Sequence, residues 1–409
     1  MNILYIDHYA GTPQYGMEFR PYYMAKEWCK LGHKVLIVAA SYSHLRLKQP
    51  ECQIISHEII DGVDYYWYKT PRYSNNGLSR LKNIFFFLWR LYRDSARLVK
   101  EFAPDVVIAS STYPFDIWPA RRIAKKAKAK LVYEIHDLWP LSPIELGGMS
   151  PKHPFIRLCQ KAENDCYKYS DVVVSVLPNV HEHVIAHGLD IKKLYIVPNG
   201  IVEEEWNEAN TEELSDESIV SFFNTHRCGG NIIVGYTGNY GKLNDLEHLL
   251  EAAKRLTSEP IIFVLFGNGL EKNSLIRLSK ELNIKNVLFF NAVNKKQMFR
   301  LLKNIDIAYI GFSNQPLFRF GVSPNKLMDY MASGTPIISA IRSPNDLVTE
   351  IGCGITVKPS DPVEIANGIL RLVNCTPEER RNMGERGRDF VLKNRTYPIL
   401  ARQFLDAVH

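Results

Sequence analysis

Short apolar runs recur along the chain, and stretches with helical period separate them. In the first half the strand-like runs are 2–6, 35–40, 106–109, 130–134, 172–176 and 195–197. The pattern then restarts, with strand-like runs at 232–236, 261–266, 287–290, 307–310 and 336–339. Strands that alternate with helices indicate parallel sheets covered by helices on both faces. The pattern therefore predicts an α/β protein with two doubly wound, Rossmann-like domains.

The boundary between the two predicted domains falls near residue 200. We assign residues 1–200 to the first domain and 201–396 to the second. Residues 203–230 are acidic and rich in Ser and Asn without a clear period, which predicts a linker with an irregular insertion. Ligands of open α/β sheets bind beyond the carboxyl ends of the strands, so the cleft between the domains is the expected site.

Composition narrows the class of protein. The chain has 409 residues, of which 46% are hydrophobic and 23% charged, so a disordered or fibrous chain is excluded. The apolar runs, such as 84–89, are far too short to span a bilayer. Met1 leads directly into a strand-like run, which predicts no signal peptide. Seven cysteines without a C-x-x-C pair then indicate free thiols in a reducing, cytoplasmic compartment.

The positive charge is concentrated in the first half. Residues 1–200 hold 26 Lys and Arg against 19 Asp and Glu, whereas residues 201–409 hold 24 against 25. Such asymmetry suggests an anionic partner for the first domain, although chance accounts for a surplus of this size equally well.

The histidines at 181, 183 and 187 form the only group that resembles a metal-binding pattern. No Cys or carboxylate joins them at a diagnostic spacing. We interpret them as a polar helix face and predict no metal ion or cofactor.

The segment 323–336 carries the strongest chemical signal. Ser323 followed by a proline is typical of a helix N-cap, which places Asn325 and Lys326 in the first turn. Free backbone amides and the helix dipole favour an anion there, and Lys326 adds a positive donor. Asp329 lies one turn further on and suits sugar hydroxyls, so the pair fits a diphosphate beside a ribose. The alternative is a surface ion pair.

This segment resembles the donor-binding helix of GT-B glycosyltransferases of family 4, in the variant found in bacterial O-antigen and capsule enzymes, including N-acetylfucosamine transferases. The resemblance extends over most of the chain. It implies that Asp329 contacts the ribose as the second acid of the Glu-x7-Glu signature. The first acid, which in the family lies near the donor sugar, is replaced by Gly321. The resemblance also implies that a last helix, 397–409, crosses back onto the first domain.

Two strand-end loops of the second domain resemble the family's donor loops. In the first, Gly238, Asn239, Gly241 and Lys242 follow a strand-like run, and glycines let backbone approach a phosphate. Many members carry Arg and Lys where this chain has Asn239 and Asn244. Lys242 and Arg319 are then the candidate helpers of Lys326. The second loop contains Gly267; by themselves both loops are also typical of simple turns.

Two segments of the first domain supply the candidate acceptor side. His136 and Asp137 follow a strand-like run, and a lone histidine there is more often structural. The resemblance reverses this, because His136 matches a motif histidine that contacts the donor sugar near the acceptor, with Asp137 orienting it or holding the loop. The segment 11–20, with Gly16 and Arg20, resembles the family's N-terminal glycine loop; a flexible turn is the equal alternative.

Residues 81–99 have helical period, with a mostly apolar face formed by positions such as Ile84, Phe85, Leu88 and Tyr92. The opposite face is basic and interleaved with aromatic residues, namely Lys82, Phe86, Trp89, Arg90, Arg93 and Arg97. This combination suits an anionic membrane surface, and the run 121–130 adds further basic residues. The alternative is that Phe86 packs against a neighbouring loop. No nucleic-acid-binding motif is present.

Together these features predict a retaining glycosyltransferase. The resemblance implies a nucleotide-sugar donor, UDP-linked by analogy with the family, in the second domain, and a saccharide or polyprenyl-diphosphate-linked acceptor in the first. Catalysis is assigned to His136, Lys326 and Asp329, without a metal ion. The enzyme is expected to lie at the cytoplasmic face of the cell membrane and to act in surface polysaccharide synthesis. The alternatives are a nucleotide-sugar 2-epimerase of the same architecture and a catalytically silent sugar-nucleotide-binding subunit.

Overall fold

The computed structural model describes residues 1–16, 19–74 and 77–409, and only the backbone of Arg227. The chain forms two compact units. Met1–Pro198 and Tyr397–His409 make up the first unit, and Asn199–Thr396 make up the second.

The first unit is built on an eight-stranded sheet with the order β3-β4-β2-β1-β5-β6-β7-β8. Its strands are β1 (Asn2–Ile6), β2 (Lys34–Ala40), β3 (Ile55–Ile60), β4 (Val63–Tyr68), β5 (Val106–Ala109), β6 (Lys130–Ile135), β7 (Val172–Ser175) and β8 (Leu194–Ile196). Its helices before residue 199 are α1 (Arg20–Lys30), α2 (Leu78–Phe102), α3 (Ile117–Ala127), α4 (Leu141–Glu145), α5 (Pro154–Tyr169) and α6 (His181–Ala186).

The hairpin β3–β4 is the one part of this sheet that the apolar pattern did not predict. Its strands pair antiparallel at the edge of the sheet, so the sheet is mixed rather than wholly parallel. β3 contains Ser56, His57 and Glu58 and is mostly accessible to solvent. An edge strand buries few side chains, and therefore no apolar run marks it.

The second unit contains a six-stranded parallel sheet with the order β11-β10-β9-β12-β13-β14. Its strands are β9 (Ile232–Thr237), β10 (Ile261–Phe266), β11 (Val287–Phe290), β12 (Ile307–Gly311), β13 (Ile337–Ala340) and β14 (Gly354–Thr356). Its helices are α7 (Glu217–Cys228), α8 (Leu246–Arg255), α9 (Lys272–Glu281), α10 (Met298–Lys303), α11 (Asn325–Ser333), α12 (Leu347–Ile351), α13 (Pro362–Val373) and α14 (Pro377–Asn394). The last helix, α15 (Tyr397–Val408), belongs to the first unit.

The order of the second sheet reverses between β9 and β12. Strands β10 and β11 extend to one side of β9, and β12 to β14 extend to the other. A crevice forms at such a switch point because the connecting loops diverge in opposite directions.

The prediction of an irregular insertion at 203–230 is wrong. The segment forms two short 3₁₀ helices, Glu203–Trp206 and Glu208–Asn210, followed by α7. Trp206 and Phe222 are buried in the same core cluster as Phe299 and Met328. The apolar residues are too widely spaced among acidic ones to show a period, yet burying them makes the segment part of the second unit.

The predicted apolar face of α2 is rotated in the structure. Phe85 and Tyr92 are exposed, whereas Phe87 is fully buried and Asn83 takes a core position. The NH2 group of Asn83 has partners there, because it donates to the Thr70 hydroxyl at 3.0 Å and to the Pro71 carbonyl at 2.6 Å. A polar residue can replace an apolar one in a core when it has a partner, and periodicity does not reveal that. Within the described residues, no helix is long and apolar enough to cross a membrane.

Candidate functional site

The polar groups of the second unit converge at the switch point between β9 and β12. The loop 238–244 leaves β9, and the segment 312–324 leaves β12 and leads into α11. The Tyr330 hydroxyl on α11 accepts from the Thr237 amide at 2.8 Å, which ties α11 to the end of β9. The start of α11 is thereby held against the carboxyl end of the sheet.

Ser323 does not cap this helix as the sequence predicted. The helix begins at Asn325, and the N-cap position is Pro324 in an extended conformation. The Ser323 hydroxyl instead accepts from the Asn199 amide at 3.0 Å, and its carbonyl accepts from the Asn199 side chain at 2.8 Å. In the described part of the chain no side chain caps α11. The Leu327 amide donates to the Pro324 carbonyl at 3.1 Å, which leaves the amides of Asn325 and Lys326 open to an anion.

Lys326 is the central cation of the site. Its Nζ donates to the Tyr236 hydroxyl at 2.9 Å and to Asn244 Oδ1 at 2.5 Å, and lies 4.5 Å from the Tyr236 ring centroid. No carboxylate pairs with it among residues 1–16, 19–74 and 77–409. Burial lowers the pKa of Lys326 to about 7. A buried amine without a counter-ion is suited to an anionic ligand, which would favour its charged form.

The loops that contain Gly238 and Gly267 contact each other, and the first also contacts Lys326. A side chain at Gly238 would meet Lys326 Nζ at 3.1 Å. At Gly267 a Cβ would lie 1.8 Å from the Gly238 carbonyl oxygen, so this position needs glycine for contact between loops. The Asn239 carbonyl accepts from the Tyr236 hydroxyl at 2.7 Å. Gly241 accepts from the Asn244 amide at 2.9 Å, and Lys242 is exposed.

Asp329 is half-buried one turn after Lys326. Burial raises the pKa of its carboxyl; nearby Lys295 opposes that shift and Glu205 adds to it. Lys295 and Glu205 form an ion pair at 3.2 Å. Sequence reasoning missed both residues, since Glu205 lies in the supposed insertion. The only signal was the acidic run 203–205.

The position of the missing family acid is conformationally restricted. Gly321 has φ +86° and ψ 171°, a region that side chains strongly disfavour. The next residue, Val322, is held by Asn345, whose side chain accepts from its amide at 2.9 Å and donates to its carbonyl at 2.8 Å. A glutamate at 321 would therefore be strained in this backbone.

Arg319 lies in the same segment but does not reach towards Lys326 in any described contact. It is exposed, donates to the Pro316 carbonyl at 2.7 Å and lies over the Phe320 ring at 4.3 Å. Together with Arg342 it lines a cavity of about 580 Å³ between the loops that follow β12 and β13.

In the first unit, His136 belongs to a buried polar cluster around Glu134. The Glu134 carboxylate accepts from the Tyr5 hydroxyl at 2.5 Å and the Ser110 hydroxyl at 2.6 Å, and it pairs with Arg20 at 2.9 Å. His136 Nε2 lies 2.8 Å from the Ser110 hydroxyl and 3.3 Å from Glu134. Burial opposes the imidazolium, but Glu134 outweighs it and the pKa of His136 is raised. The histidine is thus held by a carboxylate that the sequence did not single out.

Three acceptor-side residues have structural contacts. Arg20, expected at the acceptor, is buried, and besides Glu134 it donates to the carbonyls of Val197 and Pro198 at 2.8 and 2.7 Å. Asp137 holds its loop by accepting from the Ser142 hydroxyl at 2.6 Å. Gly16 packs against Leu47. Met17 and Glu18 of the predicted glycine loop lie outside the described residues.

The histidines of α6 do not form a polar face. His183 is buried and its Nε2 lies 2.6 Å from Glu163 on α5. Possible ligand atoms of Glu163, His183 and His187 lie within 4.8 Å of one another. The Glu163 carboxylate also accepts from the Tyr167 hydroxyl at 3.0 Å and from the Gln160 side chain at 2.7 Å. All seven cysteines are free.

The predicted membrane face is partly consumed by internal contacts. Arg90 stacks over Phe86 at 4.9 Å and donates to the Ile54 carbonyl at 3.0 Å. Arg97 is bonded to Asp94 at 2.7 Å. Phe86 is consequently half-covered, whereas Trp89 is 49% exposed and Arg93 lies over its ring. Lys82 is exposed.

Comparison with known proteins agrees with this arrangement. Residues 221–390 match the family model of glycosyl transferases group 1, and residues 15–205 match that of glycosyltransferase family 4. The probable glycosyltransferase WbjE of Pseudomonas aeruginosa is 23% identical over 74% of each chain. The putative colanic acid biosynthesis glycosyl transferase WcaI of Escherichia coli is 26% identical, over 46% of each chain. HepE of Anabaena, whose structure holds UDP and glucose, has a TM-score of 0.66 at 14% identity and covers 99% of this chain and 98% of its own.

The fold is therefore GT-B. The chain belongs to the glycosyltransferases, with a family 4 first domain and a group 1 second domain.

Proposed function

We propose that the second unit binds a nucleotide-sugar donor, most simply a UDP-sugar, at the switch point. The observation that carries this proposal is Lys326, a buried amine with no carboxylate partner in the described chain, beside the open amides of Asn325 and Lys326 at the start of α11. Binding a diphosphate there would supply the missing negative charge. The presence of UDP in HepE supports the choice of nucleotide.

We infer a retaining transfer in which the acceptor hydroxyl attacks from the face that the diphosphate leaves. The new bond forms between the acceptor oxygen and the anomeric carbon as the bond to the diphosphate oxygen breaks. The proton passes from the hydroxyl to the departing phosphate. Lys326 and the α11 amides stabilise the charge on the leaving group, and Asp329 accepts from the ribose. His136 binds the donor sugar beside the acceptor.

The acceptor is proposed to be a saccharide, free or linked to a polyprenyl diphosphate, in surface polysaccharide synthesis. The name of WcaI, which refers to colanic acid biosynthesis, supports this context. Transfer to a lipid-linked acceptor takes place at a membrane surface, and the excess of basic residues in 1–200 fits binding to such a surface. We therefore propose peripheral association with the cytoplasmic face of the membrane.

A thermal-shift screen against nucleotide-sugars tests the donor assignment, because a bound ligand raises apparent stability. The protein is then incubated with the best donor, with and without a saccharide acceptor. Transfer that requires acceptor supports the proposal. Conversion of the donor without acceptor would indicate the 2-epimerase, and binding without any turnover would indicate the silent subunit. If none of the UDP-sugars stabilises the protein, the choice of UDP as the nucleotide is contradicted.

A further inference from the structure

A basic groove lies between α2 and α3 in the first unit, away from the residues assigned to transfer. Its cavity of about 450 Å³ is lined by Tyr92, Trp118, Arg121, Arg122, Lys125 and Lys126, which we call the α2–α3 groove. Four of the six lining residues are cationic and none is acidic. The volume is sufficient for a small polar group such as a phosphate with its substituents.

The four cations lack counter-ions among the residues that the structure describes. Across 1–16, 19–74 and 77–409, no ion pair involves Arg121, Arg122, Lys125 or Lys126. The helix dipole explains the two lysines in the last turn of α3, because cations are favourable there. It does not explain the two arginines further from the helix end. The nearby carboxylate of Asp165 accepts from the Trp118 indole at 2.9 Å.

The arginines are held in place by neutral groups. Arg122 donates from Nε to the Ser95 hydroxyl at 2.9 Å and lies 4.4 Å above the Tyr92 ring. Arg121 lies 3.2 Å from the centroid of the Tyr169 ring. Contacts of this kind fix the side chains without neutralising them, so little ordering remains to be done when an anion binds.

An exposed aromatic stripe borders the groove on α2. Phe85, Trp89 and Tyr92 are 39%, 49% and 47% exposed, and their spacing of four and three residues places them on one helix face. Tyr92 is itself part of the groove wall. Exposed aromatic rings beside unpaired cations are typical of the headgroup region of a bilayer, whereas a soluble phosphate needs no such stripe.

We propose that the α2–α3 groove binds the phosphate of an anionic lipid headgroup while Phe85, Trp89 and Tyr92 enter the interface. This proposal rests on the proposed membrane association and makes it specific: the binding cations are those of the basic run 121–130 on α3, rather than the cations of the α2 face. It does not depend on glycosyl transfer, so the two fail separately.

The test is sedimentation of the full-length protein with phosphatidylcholine vesicles that contain or lack phosphatidylglycerol. The variant Lys125→Glu/Lys126→Glu is compared with Lys254→Glu/Arg255→Glu. Both pairs are exposed, both lie in the last turn of a helix, and both changes alter the charge equally. The control pair lies on α8 in the second unit.

We expect the wild type to bind only the vesicles that contain phosphatidylglycerol. The groove variant should bind at least about tenfold more weakly, because it replaces two cations with two anions beside an anionic lipid surface. The control should keep most of its binding, and UDP stabilisation should be unchanged in both variants. Equal losses of vesicle binding in the two variants would contradict the assignment of the binding site to the α2–α3 groove. Binding to glycerol phosphate or to duplex DNA without binding to vesicles would contradict the proposal that the ligand is an anionic lipid.

Discussion

Replacement of Lys326 by methionine tests the central assignment of the donor site. Methionine keeps most of the length of the side chain beside Tyr236 and Phe312 but removes the charge. If Lys326 donates to the diphosphate, a charge-assisted hydrogen bond worth roughly 1.5–3 kcal/mol is lost. UDP should then bind about 10–150 times more weakly.

The same change should stabilise the free protein. Lysine titrates near 10.4 in an unfolded chain and at about 7 here, so between these values the unfolded state binds more protons. Stability therefore rises with pH across that window, and below about pH 7 the cost of burying the charge is complete. We expect methionine to raise the free energy of unfolding by about 1–2 kcal/mol at or below this pH, and less at higher pH.

Calorimetry of UDP binding and thermal unfolding at several pH values measure both effects. The wild-type affinity should fall above about pH 7, because the neutral amine has no charge to offer. Lys254→Met, at an exposed lysine on α8, should change neither property. Unaltered UDP affinity in Lys326→Met, together with a flat pH dependence in the wild type, would refute the role of Lys326.

The remaining predictions concern other parts of the two units. His136→Ala should lower the transfer rate far more than UDP affinity, as measured by initial rates and calorimetry; normal turnover would make His136 purely structural. Asn345→Ala should reduce transfer and lower the free energy of unfolding by about 1–3 kcal/mol, because the amide and carbonyl of Val322 lose their partner. An unchanged melting temperature would contradict a stabilising role of these two hydrogen bonds. Glu134→Gln should destabilise the first unit by about 3–5 kcal/mol by leaving Arg20 buried without its counter-ion. Denaturant unfolding followed by circular dichroism measures this loss, and Glu163→Gln serves as a comparison at another buried carboxylate; a small loss in Glu134→Gln alone would show that the carbonyls bonded to Arg20 suffice.

The sequence by itself determined the fold class and most strands. Parallel strands buried on both faces are continuous apolar runs, so the central strands of both sheets are visible as sequence. The edge strand β3 was missed because it is mostly exposed and has no such run. The start of α11 was predicted to within two residues, since proline and the first-turn residues act locally.

Only the tertiary structure decided which polar groups meet. Asn244 lies 82 residues from Lys326 in the chain, and Arg20 lies 114 residues from Glu134, so no local pattern connects either pair. The same holds for Arg122 and Ser95, which join α3 to α2 in the basic groove. The sequence fixes which side chains carry charge, but whether a charge is paired, buried or open to a ligand depends on contacts between distant segments. For that reason the sequence could name Lys326, and only the folded chain shows that it lies without a carboxylate partner among the described residues.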